Sequence, residues 1–414
     1  MLFDMTPGAE EKIAQGSNIG YIGFDPTAPS MTIGNFVQIQ LLTLWQKSGN
    51  TPIVLMGGAT GRIGDPSGKD AERQLKSYEE LDFNLAHQAK QAEKLLNFED
   101  GPNKAIRLNN YDFYKDMNIL SFLRDVGKTL TVSYMMSKDS VKNRLESGLS
   151  FTEFSYQLLQ AYDFQYLYEN HGVRFQMGGS DQWGNITSGT EFIRRNLTDA
   201  KAYAVTTPLL TKSDGKKFGK SEEGNIWLDP NMTSPYKFYQ FWINADDADL
   251  PTFMRYFTLK TKDEVEALEK EHAEDPRTLK KILAEELTRR VHSDEAYQAV
   301  MQVSEILFNK KANKESLLAM DSNTLATVGQ EIQSFEIDKG LIQNRVKLVD
   351  LMAEHSSIVS SKSEARRAIK NNSVSINKEK VSDENFELSP DHLLQGEYVM
   401  VENGKKNKFL IKTT

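Results

Sequence analysis

The strongest constraint on the fold lies between residues 19 and 58. IGYIGFD (19–25) is an apolar run flanked by Gly and Pro, which fits a short buried strand better than a helix. IGNFVQIQLLTLWQK (33–47) follows, with apolar residues at 33, 36, 37, 41, 44 and 45, the spacing of a helix with one broad buried face. Gly49 and Asn50 close it, and TPIVLMGG (51–58) reads as a second buried strand. Strand, helix, strand is a βαβ unit, which requires a parallel sheet with a right-handed crossover. Ligands of such sheets bind beyond the C-terminal ends of the strands. Two polar, turn-rich segments occupy those ends, FDPTAPSMTIGN (24–35) and GGATGRIGDPSGKD (57–70).

Helical patterns recur at about 78–98, 119–146 and 152–170. HGVRFQMGG (171–179) returns to strand, DQWGNITSGTEFIRRN continues as loop and helix, and AVTTPLLT (204–211) is a further strand before the loop KSDGKKFGKSEEGN. From Ser234 to about Phe308 the pattern is almost wholly helical. Weak periodicity over 309–345 reads as a linker, and the tail, 346–414, has two short helical segments and then strands. The 414 residues suit two or three domains of roughly 100–200 residues each. The expected fold is α/β. A Rossmann-like parallel-sheet domain covers 1–232, an all-helical domain with its linker 233–335, and a small α+β domain 346–414.

Composition narrows the chemistry. There is no Cys, which excludes disulfides, Cys-ligated zinc, iron–sulfur clusters and thiol nucleophiles. The six His (His87, His171, His272, His292, His355 and His392) include no two at metal-ligand spacing, so no metal site is expected. MLFDMTPGAE lacks the basic and apolar regions of a signal peptide. No apolar run approaches the roughly 20 residues that span a bilayer, so a cytoplasmic protein without membrane contact is expected. Net charge is −8, yet from Arg345 onward basic residues outnumber acidic ones. That asymmetry suits an anionic partner for the tail but is too small to demonstrate nucleic-acid binding.

Three segments carry candidate chemistry. The glycines at 57, 58, 61 and 64 do not form G-x-G-x-x-G. Residues 64–70 are one short of a Walker A loop and have Asp where Ser or Thr would reach Mg²⁺. Four glycines behind a buried strand still favour a functional loop over a plain turn. TIGN (32–35) stands at a helix N-terminus, where N–H groups and the dipole favour anions, though the same residues suit simple capping by Thr32. KKFGKSEEG (216–224) sets Lys217 and Lys220 in a loop with Gly215, Gly219 and Gly224. Such a loop can close on a polyphosphate, or be an exposed charged hairpin.

Together these segments resemble the class I aminoacyl-tRNA synthetases, FDPTAPSMTIGN their first signature and KFGKS their second. YIGFDPTA, GGATGRIGDPSG, FLRDVGK, SFTEFSYQLLQAYDF, GGSDQWGNIT, KFGKS and SPYKFYQFWIN, in order over 21–243, resemble the bacterial-type tyrosyl-tRNA synthetase family. SSKSEARRAIKNNSVSINKEKVSD (360–383) is similar to the S4-type RNA-binding module of that family. The resemblance covers nearly the whole chain. It implies a ligase that activates L-tyrosine with ATP and passes the tyrosyl group to the 3′ end of tRNA(Tyr). Mg²⁺ would enter with ATP, and no cofactor would be permanently bound. It also implies a homodimer, with a helical insertion near 110–150 and Phe122–Lys128 near the interface. An anticodon-arm domain would fall within 233–335 and an S4-like RNA-binding domain at 346–414.

The resemblance also implies roles for residues. Thr27, Lys69, Arg73, Lys217 and Lys220 would surround the phosphates, with Thr32 and Asn35 in the first signature. Gly23, Asp25, Pro26, Gly34, Asp181, Phe218, Gly219 and Ser221 would line the ATP and adenylate site. Tyr21 and Asp163 would bond the substrate phenol, Asp65, Tyr156 and Gln160 its ammonium, and Gln182 would complete the site. Lys362, Arg366, Arg367 and Lys370 would share a helix face as RNA contacts. A tyrosine carboxylate, with pKa roughly 3.5 or below, needs no general base, so the rate must come from positioning and from stabilising the departing pyrophosphate.

The first signature usually carries His at its first and fourth positions. Here they are Thr32 and Asn35. One lost transition-state donor costs roughly 10²–10³ in rate. Activity is expected to survive through Thr27 and the lysine loop, and Thr32→Ala to slow adenylate formation. This departure is the one support for an alternative, a non-catalytic RNA-binding relative. A tryptophanyl enzyme of related fold conflicts with the Tyr21/Asp163 pair.

Overall fold

The computed structural model describes residues 2–67, 74–145, 148–215, 218–221, 224–309, 312–404 and 407–414, with backbone only at Asn143, Leu145, Lys220 and Ser221. Two compact units divide the chain: Met1–Thr233 with Phe241–Val291, and Ser234–Gln240 with His292–Thr414.

The first unit is built on a six-stranded sheet of β1 (Asp4–Met5), β2 (Ile19–Phe24), β3 (Thr51–Met56), β4 (Ile106–Asn109), β5 (Phe175–Gly179) and β6 (Tyr203–Thr207). Their order is β1-β6-β5-β2-β3-β4, parallel throughout except for β1 against β6. The strands β3 and β5 are buried almost end to end, as a sheet covered on both faces requires, with Gln176 the one long polar side chain of β5. From β2 the chain steps outward through β3 to β4, then returns to β5 on the other side of β2. The crevice between β2 and β5 is therefore the topological switch point, where ligands bind in such sheets.

The helix Ile33–Lys47 between β2 and β3 starts at Thr32, whose hydroxyl accepts from Asn35 N–H, and buries Phe36, Val37, Ile39, Leu42 and Trp45. Its Phe36 ring stacks on Phe257 at 5.9 Å. Gln40 Nε2 donates to Thr258 O at 3.0 Å, and Arg290 donates to Gln40 Oε1 and Phe257 O at 2.7 Å. These bonds fasten the helices Leu250–Phe257 and Pro276–Val291 to the helix Ile33–Lys47. Helical sequence up to Val291 thus belongs with the parallel sheet, and the compact division cuts through the stretch expected as one helical domain over 233–335.

The second unit ends in a five-stranded sheet ordered Glu379–Lys380, Val374–Ile376, Tyr398–Asn403, Asn407–Thr413 and Gln333–Ile337. Leu348, Leu351, Met352, Ile369, Val399, Val401 and Ile411 fill its core. From 312 onward the supposed linker over 309–345 is structured. It holds the helices Lys314–Leu318, Ser322–Glu331 and Lys339–Gln343, and the strand Gln333–Ile337 pairs in parallel with Asn407–Thr413. Along that edge strand only Ile337 is fully buried, so its sequence carries little apolar alternation. The stretch 119–146 is also less regular than expected. Thr131 caps a new helix, Val132–Met136, after the turn that follows Val126.

Candidate active site

A cavity of about 820 Å³ opens at the switch point, lined by β2, β5, the start of the helix Ile33–Lys47 and the loop after β6. It takes in Tyr21, Gly23, Asp25, Thr27, Thr32, Gly34, Asn35, Asp65, Tyr156, Gln160, Asp163, Asp181, Gln182, Phe218 and Gly219. Most residues singled out in the sequence therefore meet in one cleft. Pro26 lies behind it, buried. Lys69, Arg73 and Lys217 lie outside the described residues, and of Lys220 and Ser221 only the backbone is described.

One end of the cleft is closed and buried. Asp163 is 2% exposed and accepts from Asn110 Nδ2 at 2.9 Å and from the Tyr114 hydroxyl at 2.6 Å. Burial pushes its carboxyl up to about 7, against the pull of those two donors. Tyr21 is 1% exposed, and no described residue bonds its hydroxyl oxygen. Burial, and then the Asp163 charge, raise its phenol well above the usual range. Tyr21 sits opposite Gln176 across the β2–β5 pair, and Phe164 packs edge-on against its ring at 5.4 Å. An unpartnered buried hydroxyl is costly, so this end is shaped for a polar group that the chain does not supply.

Further along, two carboxylates are held in defined directions. Asp25 accepts from Thr60 Oγ1 at 2.8 Å and from the Tyr156 hydroxyl at 2.9 Å. Asp65 accepts from Gln182 Nε2 at 2.6 Å and from the Ser67 N–H at 2.9 Å. Asp181 is exposed at the mouth. Gln160 Oε1 is buried without a described partner. The glycines after β3 owe their identity to close approach. A Cβ on Gly57 would overlap Asp25 Oδ1, and one on Gly61 would lie 2.8 Å from Pro26 Cδ. The Gly-rich loop packs against the end of β2 and is not a phosphate cradle of the Walker type.

The start of the helix Ile33–Lys47 is joined through the backbone to residues 226–228, and Ile226 N–H donates to Gly219 O of KFGKS at 3.1 Å. Ile33 N–H donates to Ile226 O at 2.9 Å, Leu228 N–H donates to Met31 O at 2.9 Å, and Thr32 bridges Trp227. Thr32 and Asn35 form a capping box. Asn35 Oδ1 lies 2.9 Å from both the Thr32 N–H and the Thr32 hydroxyl, and Asn35 N–H donates back to Thr32 Oγ1 at 3.3 Å. The hydroxyl hydrogen of Thr32 is thus directed at Asn35, which leaves Asn35 Nδ2 as the side-chain donor of the pair. No described residue accepts from Gly34 N–H. In the KFGKS loop, Phe218 is buried against Phe241, Trp242, Phe253 and Phe257, with centroids 5.2 to 6.1 Å apart. Gly219 has φ 86°, and a Cβ there would press on Ile33 at 2.8 Å.

Sequence reasoning missed Asn110, Tyr114, Thr60, Gln176 and Asn185. Asn110 directly follows β4, an edge strand the sequence reading did not find. Among the RNA candidates, Arg366, Arg367 and Lys370 are exposed, whereas Lys362 Nζ lies 2.8 Å from Asp350 and 2.9 Å from Glu354. Among the described residues, no three His, Asp or Glu side chains are grouped to hold a metal, and no helix is long and apolar enough to cross a membrane.

A parallel sheet with a polar cleft at its switch point, overhung by a helix N-terminus, defines a nucleotide-binding α/β enzyme. Residues 14–309 match the family described as tRNA synthetases class I (W and Y), and residues 325–411 match the tyrosine–tRNA ligase SYY-like C-terminal domain. The tyrosine–tRNA ligase of Cytophaga hutchinsonii is 52% identical over 416 residues, covering 100% of this chain and 97% of its own. That of Porphyromonas gingivalis is 50% identical over 418 residues, covering 99% and 97%. Among solved structures, a C-terminally truncated mitochondrial tyrosyl-tRNA synthetase of Aspergillus nidulans is 30% identical with a TM-score of 0.66, over 74% of this chain and 91% of that one. Tyrosyl-tRNA synthetase complexed with L-tyrosine from Archaeoglobus fulgidus, 18% identical, shares the fold at a TM-score of 0.53 over 70% and 94%. The chain belongs to the tyrosine–tRNA ligase family of class I aminoacyl-tRNA synthetases.

Proposed function

We propose that the cleft joins L-tyrosine to ATP with the following division of labour. The tyrosine carboxylate attacks the α-phosphorus, the bond to the β-phosphate oxygen breaks, and pyrophosphate leaves. The terminal ribose hydroxyl of tRNA(Tyr) then attacks the carbonyl of the adenylate and releases AMP. Tyr21 donates to the substrate phenol oxygen, and the phenol hydrogen goes to the ionised Asp163. Asn110 and Tyr114 hold that carboxylate in place. Asp65 takes the ammonium, with Tyr156 and Gln160 along the same wall. ATP lies over the N-terminus of the helix Ile33–Lys47, where the Gly34 N–H and Asn35 Nδ2 face its phosphates. Thr27 and the lysines of the loop neutralise charge on the departing pyrophosphate. Mg²⁺ enters with ATP, held by phosphate oxygens and water.

The observation that carries this reading is the buried end of the cleft. There an unpartnered Tyr21 hydroxyl faces a carboxylate already braced by two donors. A phenol satisfies both groups. Phenylalanine leaves the Tyr21 hydroxyl unpaired, at about 1–3 kcal/mol, and brings Asp163 no donor beyond Asn110 and Tyr114. ATP–pyrophosphate exchange with tyrosine, phenylalanine and tryptophan offered separately tests it. Exchange is expected with tyrosine alone, and exchange with phenylalanine at a comparable kcat/KM would refute the assignment.

The homodimer expectation gains support from one exposed apolar stretch. Ile119, Leu120, Leu123, Val132, Met136 and Phe151 are all solvent-accessible within about thirty residues, more than scattered surface apolars explain. Sedimentation velocity checks it. Arg366, Arg367 and Lys370 are proposed as tRNA phosphate contacts, with Lys362 instead bracing its helix against Asp350 and Glu354. A cytoplasmic site of action follows from the substrates, ATP and tRNA.

A further inference from the structure

Behind the ammonium wall lies a closed ring of hydrogen bonds. Asp65 accepts from Gln182 Nε2 at 2.6 Å and from Ser67 N–H at 2.9 Å. Asn185, 1% exposed on the first turn of the helix Trp183–Asn196, completes the ring. Its Nδ2 lies 3.1 Å from Ser67 Oγ, 3.2 Å from Gln182 Oε1 and 3.4 Å from Asp65 Oδ1. Asp65 and Gln182 line the cavity, whereas Ser67 and Asn185 stand behind it.

We infer that Asn185 is a positioning residue that selects amino-acid substrates by their ammonium group. The argument turns on the Gln182 amide. Turned one way, it offers Nε2 to Asp65 and Oε1 to Asn185. Turned the other way, its oxygen faces a carboxylate and its NH₂ faces another NH₂, two repulsive contacts in a buried place. Asn185 therefore fixes one orientation of Gln182. With Asp65 Oδ2 held by Gln182 and Oδ1 by Ser67, the remaining lone pairs of Asp65 have a set direction, toward the cavity. Asn185 stands outside the lining of the cavity. Its effect reaches the substrate through Gln182 and Asp65, so this inference rests on the assignment of Asp65 to the ammonium.

Two variants test it. Asn185→Asp keeps the shape but replaces a donor with an acceptor, which sets a second carboxylate beside Asp65 and leaves Gln182 Oε1 against a carboxylate in either orientation. Asn185→Ala removes the group without adding charge. The probes are tyrosine, ATP and 3-(4-hydroxyphenyl)propanoate, which has the phenol and carboxylate of tyrosine but no ammonium. Both variants are expected to raise the KM for tyrosine about tenfold or more, the equivalent of one lost hydrogen bond. The KM for ATP, and the inhibition constant of the propanoate against tyrosine, should stay within about twofold. A merely structural role would move all three constants together, and that result overturns the inference. Constants unchanged throughout overturn it as well. Asp65→Asn serves as the control. If it leaves the ratio of tyrosine KM to propanoate inhibition constant unchanged, the ammonium assignment fails and takes the inference with it. If it raises that ratio while both Asn185 variants do not, only the role of Asn185 fails.

Discussion

Asn35→Asp separates stability from catalysis at one atom. The wild-type side chain uses Oδ1 for the capping box, accepting from the Thr32 N–H and hydroxyl at 2.9 Å. Aspartate keeps an oxygen in that place, so the cap survives. The first turn of the helix holds no acidic residue, and a carboxylate there gains about 0.3–1 kcal/mol from the helix dipole. The variant should therefore unfold at slightly higher urea. It loses the Nδ2 donor, however, and turns a negative charge toward the phosphates. One missing donor to developing charge costs about 10²–10³ in rate. Exchange should fall at least a hundredfold while stability rises. Thr32→Ala should do the reverse, losing about 1 kcal/mol of capping with less than a tenfold loss of rate, because its hydroxyl hydrogen is already directed at Asn35. Urea unfolding and ATP–pyrophosphate exchange on the same preparations decide it. If Asn35→Asp exchanges within tenfold of wild type, or Thr32→Ala loses a hundredfold, the donor is not Asn35 Nδ2.

Three further outcomes are expected. Asp163, ordinarily near 3.8 and here pushed up to about 7, keeps its proton in the folded state over a window where the unfolded chain has released it. Its contribution to the stability of the unliganded protein therefore falls as pH rises from about 4 to 7, by up to about 1.4 kcal/mol per unit. Asp163→Asn should remove that slope in pH-dependent urea melts, and in the wild type the KM for tyrosine should fall as pH rises through 7. Arg144 and Glu153 form a fully buried ion pair at 2.8 Å, so Glu153→Gln alone should cost about 3–5 kcal/mol, whereas replacing both with Met should recover most of it in thermal unfolding. Phe218→Ala should raise the KM for ATP more than that for tyrosine, because the ring fixes the signature loop against Trp242 and Phe257; equal changes in steady-state kinetics would contradict that anchoring role.

What could be read from the sequence follows the range of the interactions involved. The unit of β2, helix and β3 was legible because its burial pattern is local, and the helix bounds fell on Ile33–Lys47 as expected. Gly57 and Gly61 were visible as special, but their reason was not. It lies in contacts with Asp25 and Pro26, more than thirty residues away. At four residues, IRLN alternates apolar and polar too briefly to mark β4, and losing that strand hid its C-terminal end. Asn110 and Tyr114, which brace Asp163, went unseen with it. Likewise Lys362 looked like one more basic residue on a helix face until Asp350 and Glu354 were seen beside it. Charge is written in the sequence, but the partner that neutralises it is a property of the fold. The residues that touch a substrate can be recognised by motif, whereas those that aim them, such as Asn185 behind Asp65 and Gln182, become visible only when the hydrogen bonds close into a ring.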